Sequence, residues 1–148
     1  MTEISSAAAQ RRRLTYFPES RQVARGRAFV REALTAGAPG GRPFAADPDE
    51  VDDVLLAASE LLSNAIQHAG GVRELVVTLR DGLVRLDVLD ASPVEPRLLA
   101  PGQPTRPGGH GLQVVNRLAA RWGSDPVPGG KSVWAEFPLV TADAPGGG

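Results

Sequence analysis

Glu60, Asn64 and His68 stand at i, i+4 and i+8 of one segment, a spacing that sets three polar side chains along one ridge of a helix. A carboxylate one turn from a carboxamide can supply a water-activating base beside a magnesium ligand, although a polar ridge is also what the wet face of any helix presents. No Lys or Arg occurs from residue 51 to residue 69, so the ridge is not made of exposed ion pairs. Asp90 closes the run Val84, Leu86, Val88, Asp90, in which alternation directs each member to the face that a hairpin buries. An ionised carboxylate there needs a partner. It can cap the loop that follows, or it can accept a hydrogen bond from a ligand such as the amino group of adenine. Gly108-Gly109-His110-Gly111 leads into a helical pattern, where free backbone amides can hold an anion and the missing side chains let phosphate approach, although an ordinary loop has the same composition.

Periodicity and punctuation place these residues on elements. Asp47 can cap a helix whose first position is Pro48, and Val51, Val54, Leu55, Ala58, Leu61, Leu62, Ala65, Ile66 and Ala69 form its apolar stripe until Gly70-Gly71 ends it. The stripe centres near Val51, Leu62 and Ala69, with Glu60, Asn64 and His68 at ~180°, ~220° and ~260° on the wheel, climbing from the solvent side toward the core edge. Ahead of this helix, Leu14 to Phe17 reads as a short edge strand before Pro18, Arg21 to Thr35 as a helix, and residues 38–46 as a Pro/Gly loop. After it, Leu75–Arg80 and Leu83–Asp90 form a hairpin about Asp81-Gly82. Residues 91–109 then hold Pro93, Pro96, Pro101, Pro104 and Pro107 without periodicity, a long loop of the kind that is often functional.

A helix over 111–121 follows, and then a hairpin of Trp122–Val127 and Ser132–Leu139, the last strand alternating Val133, Ala135, Phe137 and Leu139 against Ser132, Trp134 and Glu136. Gly130-Lys131-Ser132 matches the end of a P-loop. Asp125 stands where the first glycine of that motif belongs, however, and a strand pattern follows where a helix is required. The fold class is therefore α+β, a two-layer sandwich with helices on one face of a mixed, mostly antiparallel sheet.

Composition bounds the function. At 148 residues and 42% hydrophobic the chain supports one core, expected over residues 13–140, with a flexible arm at 1–12 and a flexible tail at 141–148. The absence of Cys excludes disulfides, thiolate metal sites and a thiol nucleophile, and His68 and His110 are too few for a multi-histidine centre. No apolar run approaches the ~18 residues of a membrane span, and the N-terminus lacks a signal-peptide core, so a cytoplasmic protein without a membrane partner is expected. A net charge of −1 provides no global field for a nucleic acid. The crowding of Arg11, Arg12, Arg13, Arg21, Arg25, Arg27 and Arg31 reads as solvated surface.

In their order along the chain, the ExxxNxxxH helix, the strand-end Asp90, the Pro-rich loop and the glycine-led helix resemble the Bergerat ATP-binding fold of the GHKL superfamily. Within it they resemble the small bacterial anti-sigma factor serine/threonine kinases. Ala57 to His68 is similar to that family's N-box almost position for position, and Trp122-Gly123 with the closing hairpin extends the resemblance over residues 14–139. The resemblance implies ATP and Mg2+ as cofactors, Glu60 as general base, Asn64 as magnesium ligand, Asp90 as adenine acceptor, residues 91–108 as the ATP lid, and Gly109 and Gly111 as the phosphate loop. His68, Arg106, His110 and Leu112 complete the implied ATP-binding set, Arg106 toward the terminal phosphate. It further implies a kinase that phosphorylates a small antagonist of anti-anti-sigma type and sequesters a partner such as a sigma factor, and it admits a homodimer. One departure stands out. The family's DxGxG box is here Asp90-Ala91-Ser92-Pro93-Val94, with both glycines replaced, and the alternative is a catalytically inactive ATP-binding module that acts through protein–protein contacts.

Overall fold

In the computed structural model, which describes residues 9–15, 17, 20–36, 45, 47–80, 82–96 and 111–140, the element order is β1 (Gln10–Leu14), α1 (Gln22–Ala36), α2 (Pro48–Ala69), β2 (Glu74–Arg80), β3 (Leu83–Asp90), α3 (Gly111–Leu118), β4 (Arg121–Val127) and β5 (Gly130–Pro138). The expected tail at 141–148, the start of the expected N-terminal arm, and the part from residue 97 onward of the segment expected to be a lid lie outside the described residues. The strands form one sheet in the order β1-β2-β3-β5-β4. Every pairing is antiparallel, so the sheet is not mixed.

Period-two alternation turns Leu75, Val77 and Leu79 of β2, Val84, Leu86 and Val88 of β3, and Val133, Ala135 and Phe137 of β5 to one face, where all are buried. The helices cover that face, α2 packing on β3 and β5 while α1 and α3 pack on α2. Leu34, Val54, Leu55, Leu61, Leu62 and Val115 complete the core, each large aliphatic side chain contributing about 1.5–3 kcal/mol over its exposed state. The other sheet face is polar. Arg85 bonds Asp87 at 2.9 Å and Glu136 at 3.3 Å and lies 4.4 Å from the Trp134 ring centroid. The hydrogen bond to Asp87 raises the Arg85 guanidinium pKa above its ordinary value.

The α2 ends follow local chemistry. Asp47 is extended and its Oδ1 accepts from the Asp49 N–H at 2.9 Å, while Gly70 takes φ +81°, the left-handed region that ends a helix cheaply only with glycine. The buried arc is rotated from the one periodicity predicts. Ala57 is fully buried and Ile66, placed in the apolar stripe, is 39% exposed. With α1 on one flank and α3 on the other, the arc centres between Ala58 and Ala65, and Ile66 falls at its margin.

The first strand also differs from the sequence reading. It occupies Gln10–Leu14 rather than Leu14–Phe17, because its antiparallel register sets Leu14 opposite Leu75, next to Glu74 where β2 begins. Continuing beyond Thr15, which falls opposite Glu74, would outrun the partner strand. Arg11, Arg12 and Arg13 thus sit in an edge strand and not in a free arm, Arg13 forming an exposed 3.3 Å pair with Glu74 that contributes little. Arg21 has φ +71°, so α1 starts one residue after the predicted position. The last helix stops at Leu118, since Ala120 N–H already donates to the Glu136 carbonyl and Arg121 opens β4.

Candidate functional site

The inward alternation of β3 ends on Asp90, which is fully buried. Its Oδ1 accepts two hydrogen bonds, from the Ser92 N–H at 2.9 Å and from Lys131 Nζ at 3.0 Å. Its Oδ2 is buried and, among the described residues, has no hydrogen-bond partner. The capping reading of Asp90 thus holds for one oxygen, while the other finds no donor among the described residues. A buried acceptor left unpaired costs about 1–3 kcal/mol, more when charged, so a ligand amine or amide N–H reaching Oδ2 would recover that cost.

Lys131 is the residue that sequence reasoning missed. Set aside with its neighbours as an imperfect P-loop, it lies directly opposite Asp90 in the β3–β5 register and is itself buried. The available signal was alternation, since one step back along β5 from Val133, Ala135 and Phe137 by twos lands on Lys131. The P-loop reading itself fails, because residues 130–138 form a strand. Gly130 is required here for a different reason: a Cβ at this position would fall on the Asp90 carbonyl oxygen and crowd Ala91 Cα at 2.8 Å. We expect Gly130→Ala to destabilise the protein by about 1–3 kcal/mol, the usual scale of overpacking against atoms that cannot move aside. An unchanged urea midpoint would contradict this.

The ridge of Glu60, Asn64 and His68 lies on α2, which packs on the same face of β3 that carries Asp90. Glu60 and Asn64 are half-buried and His68 is exposed. Among the described residues, none of these three side chains makes a hydrogen bond or ion pair with another residue. Burial along the ridge runs opposite to the wheel: His68, placed nearest the core, is the most exposed, because the last turn extends past Ala65, the final buried residue of the helix. Gly111 opens α3, and Leu112, one residue on, is buried at 5%. Since α3 packs on α2, the start of that helix belongs to the same layer as the ridge. Arg106, Gly109 and His110 lie outside the described residues.

In the loop after Asp90, the Ser92 hydroxyl accepts from the Val94 N–H at 3.2 Å, and the Ser92 carbonyl accepts from Lys131 Nζ at 3.3 Å. Side-chain bonds thus close a turn that contains no glycine. An open groove of about 290 Å³ lies at the far end of β5, lined by residues including Glu50, Asp53, Leu118, Phe137 and Leu139. It shares no residue with the ridge or with Asp90. Among the described residues, no three His, Cys, Asp or Glu side chains gather as a metal site, and no helix is long and apolar enough to cross a membrane.

No curated protein sequence matches the chain. The crystal structure of the RsbU and RsbW domains of Rv1364c from Mycobacterium tuberculosis is similar in fold, with a TM-score of 0.61 and 21% identity over 88% of this chain. The chain spans 32% of the length of that relative. Residues 18–137 match the family described as the histidine kinase-like ATPase domain, a span that includes α2 with its ridge, Asp90 and Lys131, and the closing hairpin. With most of its length inside that match, the chain belongs to the histidine kinase-like ATPase domain family.

Proposed function

We propose that this domain binds ATP with magnesium and transfers phosphate to a serine or threonine of a small antagonist-type protein, regulating a partner such as a sigma factor by sequestration. The observation that carries the reading is the orphaned Oδ2 of Asp90, a buried acceptor on the helix-covered face that the 6-amino group of adenine would satisfy. Asn64 would be the protein ligand to magnesium, an ion that keeps most of its shell as water and phosphate oxygen and so needs no cage of carboxylates. The backbone amides of Gly109 and Gly111, with His110 and Leu112 at the helix start, would face the phosphates, and Arg106 would approach the terminal one. His68, at the exposed end of the ridge, would meet the nucleotide from the solvent side. Bound ATP would supply the phosphoryl group. Glu60 would take the proton of the acceptor hydroxyl, the role for which an unpaired, half-buried carboxylate on the ridge is suited. An ATP-dependent reaction of this kind belongs in the cytoplasm, and a homodimer is compatible with it.

A second reading, a nucleotide-binding module without phosphotransfer, is favoured by the turn after Asp90. There Ala91 and Ser92-Pro93-Val94 replace the glycine box, and Ser92 N–H is already engaged with Asp90.

Calorimetry with the native chain and with Asp90→Asn tests the nucleotide site. The native protein should prefer ATP to GTP, and Asp90→Asn should weaken ATP binding about ten- to a hundredfold, the scale of a lost hydrogen bond to a charged acceptor. Equal affinity of the native protein for ATP and GTP would remove Asp90 as a base reader.

A further inference from the structure

Lys131 is the only lysine of the chain, and it is 4% exposed. Burying an ammonium is unfavourable unless it is paired with an opposite charge, and Lys131 is paired with Asp90 Oδ1 and gives a second of its three protons to the Ser92 carbonyl. Charge compensation alone would be met by any placement of the carboxylate near Nζ. The observed placement is asymmetric: both donors, Lys131 Nζ and Ser92 N–H, converge on Oδ1, and Oδ2 is left bare although it is equally buried. Two bonds to one oxygen from two directions fix the rotation of the carboxylate. The free oxygen then has a set position before any ligand arrives, and a preorganised acceptor loses less on binding than one that must be ordered.

We propose that Lys131 is a positioning residue for base recognition: by holding Oδ1 it presents Oδ2 of Asp90 to the exocyclic amine of a 6-aminopurine. The proposal rests on the nucleotide-binding reading above and adds a residue to it. Discrimination for the 6-amino group should depend on Lys131 as strongly as on Asp90, though Lys131 itself touches no part of the base.

The test compares ATP with purine riboside triphosphate, which carries hydrogen in place of the 6-amino group, by titration calorimetry on the native chain and on Lys131→Met. Methionine keeps the length of the stem and removes the ammonium. The native protein should bind ATP roughly tenfold or more tightly than the analogue, and Lys131→Met should lose that ratio by weakening ATP binding while leaving the analogue nearly unchanged. Because Lys131→Met leaves Asp90 buried without its cation, Lys131→Gln serves as a second variant if the first fails to fold. Its amide retains a donor but not the reach, so its ratio should fall clearly below the native one, again through weaker ATP binding.

A merely structural lysine would move both affinities together or neither, and either result overturns the proposal. Native binding of ATP and the analogue with equal affinity would overturn it as well, while sparing nucleotide binding. If the native protein binds neither, the nucleotide reading itself is wrong and the role of Lys131 goes with it.

Discussion

Glu60→Gln is expected to bind ATP with near-native affinity and to transfer phosphate to its protein substrate at least about a hundredfold more slowly, the contribution typical of a general base. The substitution is isosteric and removes only the ability to take a proton. Glu60 is half-buried on the flank of α2, outside the buried set that runs from Val51 to Ala65, and the fold should not depend on its charge. Thermal melting of the variant within a few degrees of the native value would establish that. The rate is then read by single-turnover transfer of labelled phosphate to a small antagonist domain from the same genome. A variant as fast as the native protein would show that the base lies elsewhere. If instead the native protein binds ATP tightly and phosphorylates no such domain, the side-chain-closed turn at Asp90–Val94 becomes the structural reason, and the binding-module reading takes over.

Asn64→Ala is expected to abolish the gain in ATP affinity that magnesium confers. Asn64 stands one turn beyond Glu60 on the same ridge, half-buried and, among the described residues, without a side-chain partner. A carboxamide oxygen at such a place can enter the shell of a cation that carries its own waters, and alanine cannot. Titration with ATP in the presence and in the absence of magnesium separates the metal's contribution from that of the base. The two curves should differ for the native protein and coincide for the variant. A folded Asn64→Ala that still responds to magnesium would remove Asn64 from the site, whereas loss of ATP binding in both conditions would mark a broader disruption of the ridge.

Much of this arrangement is legible in the chain because it depends on short-range rules. The α2 helix is written by its Asp47 cap, by Pro48, by a long 3.6-residue repeat and by Gly70, and the register of Glu60, Asn64 and His68 on one ridge follows from backbone geometry alone. The inward position of Asp90 follows equally from the pleat of β3. What short-range rules do not reach is which flank of a helix its neighbours cover. Ile66 and His68 were misplaced on the burial scale because α1 and α3, distant in sequence, define the covered arc, and the last turn outruns them. The first strand was misplaced for a related reason, since its extent is set by where β2 begins and not by its own propensity.

The sequence by itself determined the α2 helix, the two hairpins, the α+β class and the identity of the polar ridge and the inward carboxylate, because each is a property of consecutive residues. The tertiary structure alone decided that Lys131 faces Asp90 across a pair of strands forty-one residues apart in the chain, that both donors meet on one oxygen, and that the other is left buried and bare. Pairing across a sheet depends on register, and register is a collective outcome of every strand in it, so a partner to a buried charge cannot be read from either segment alone.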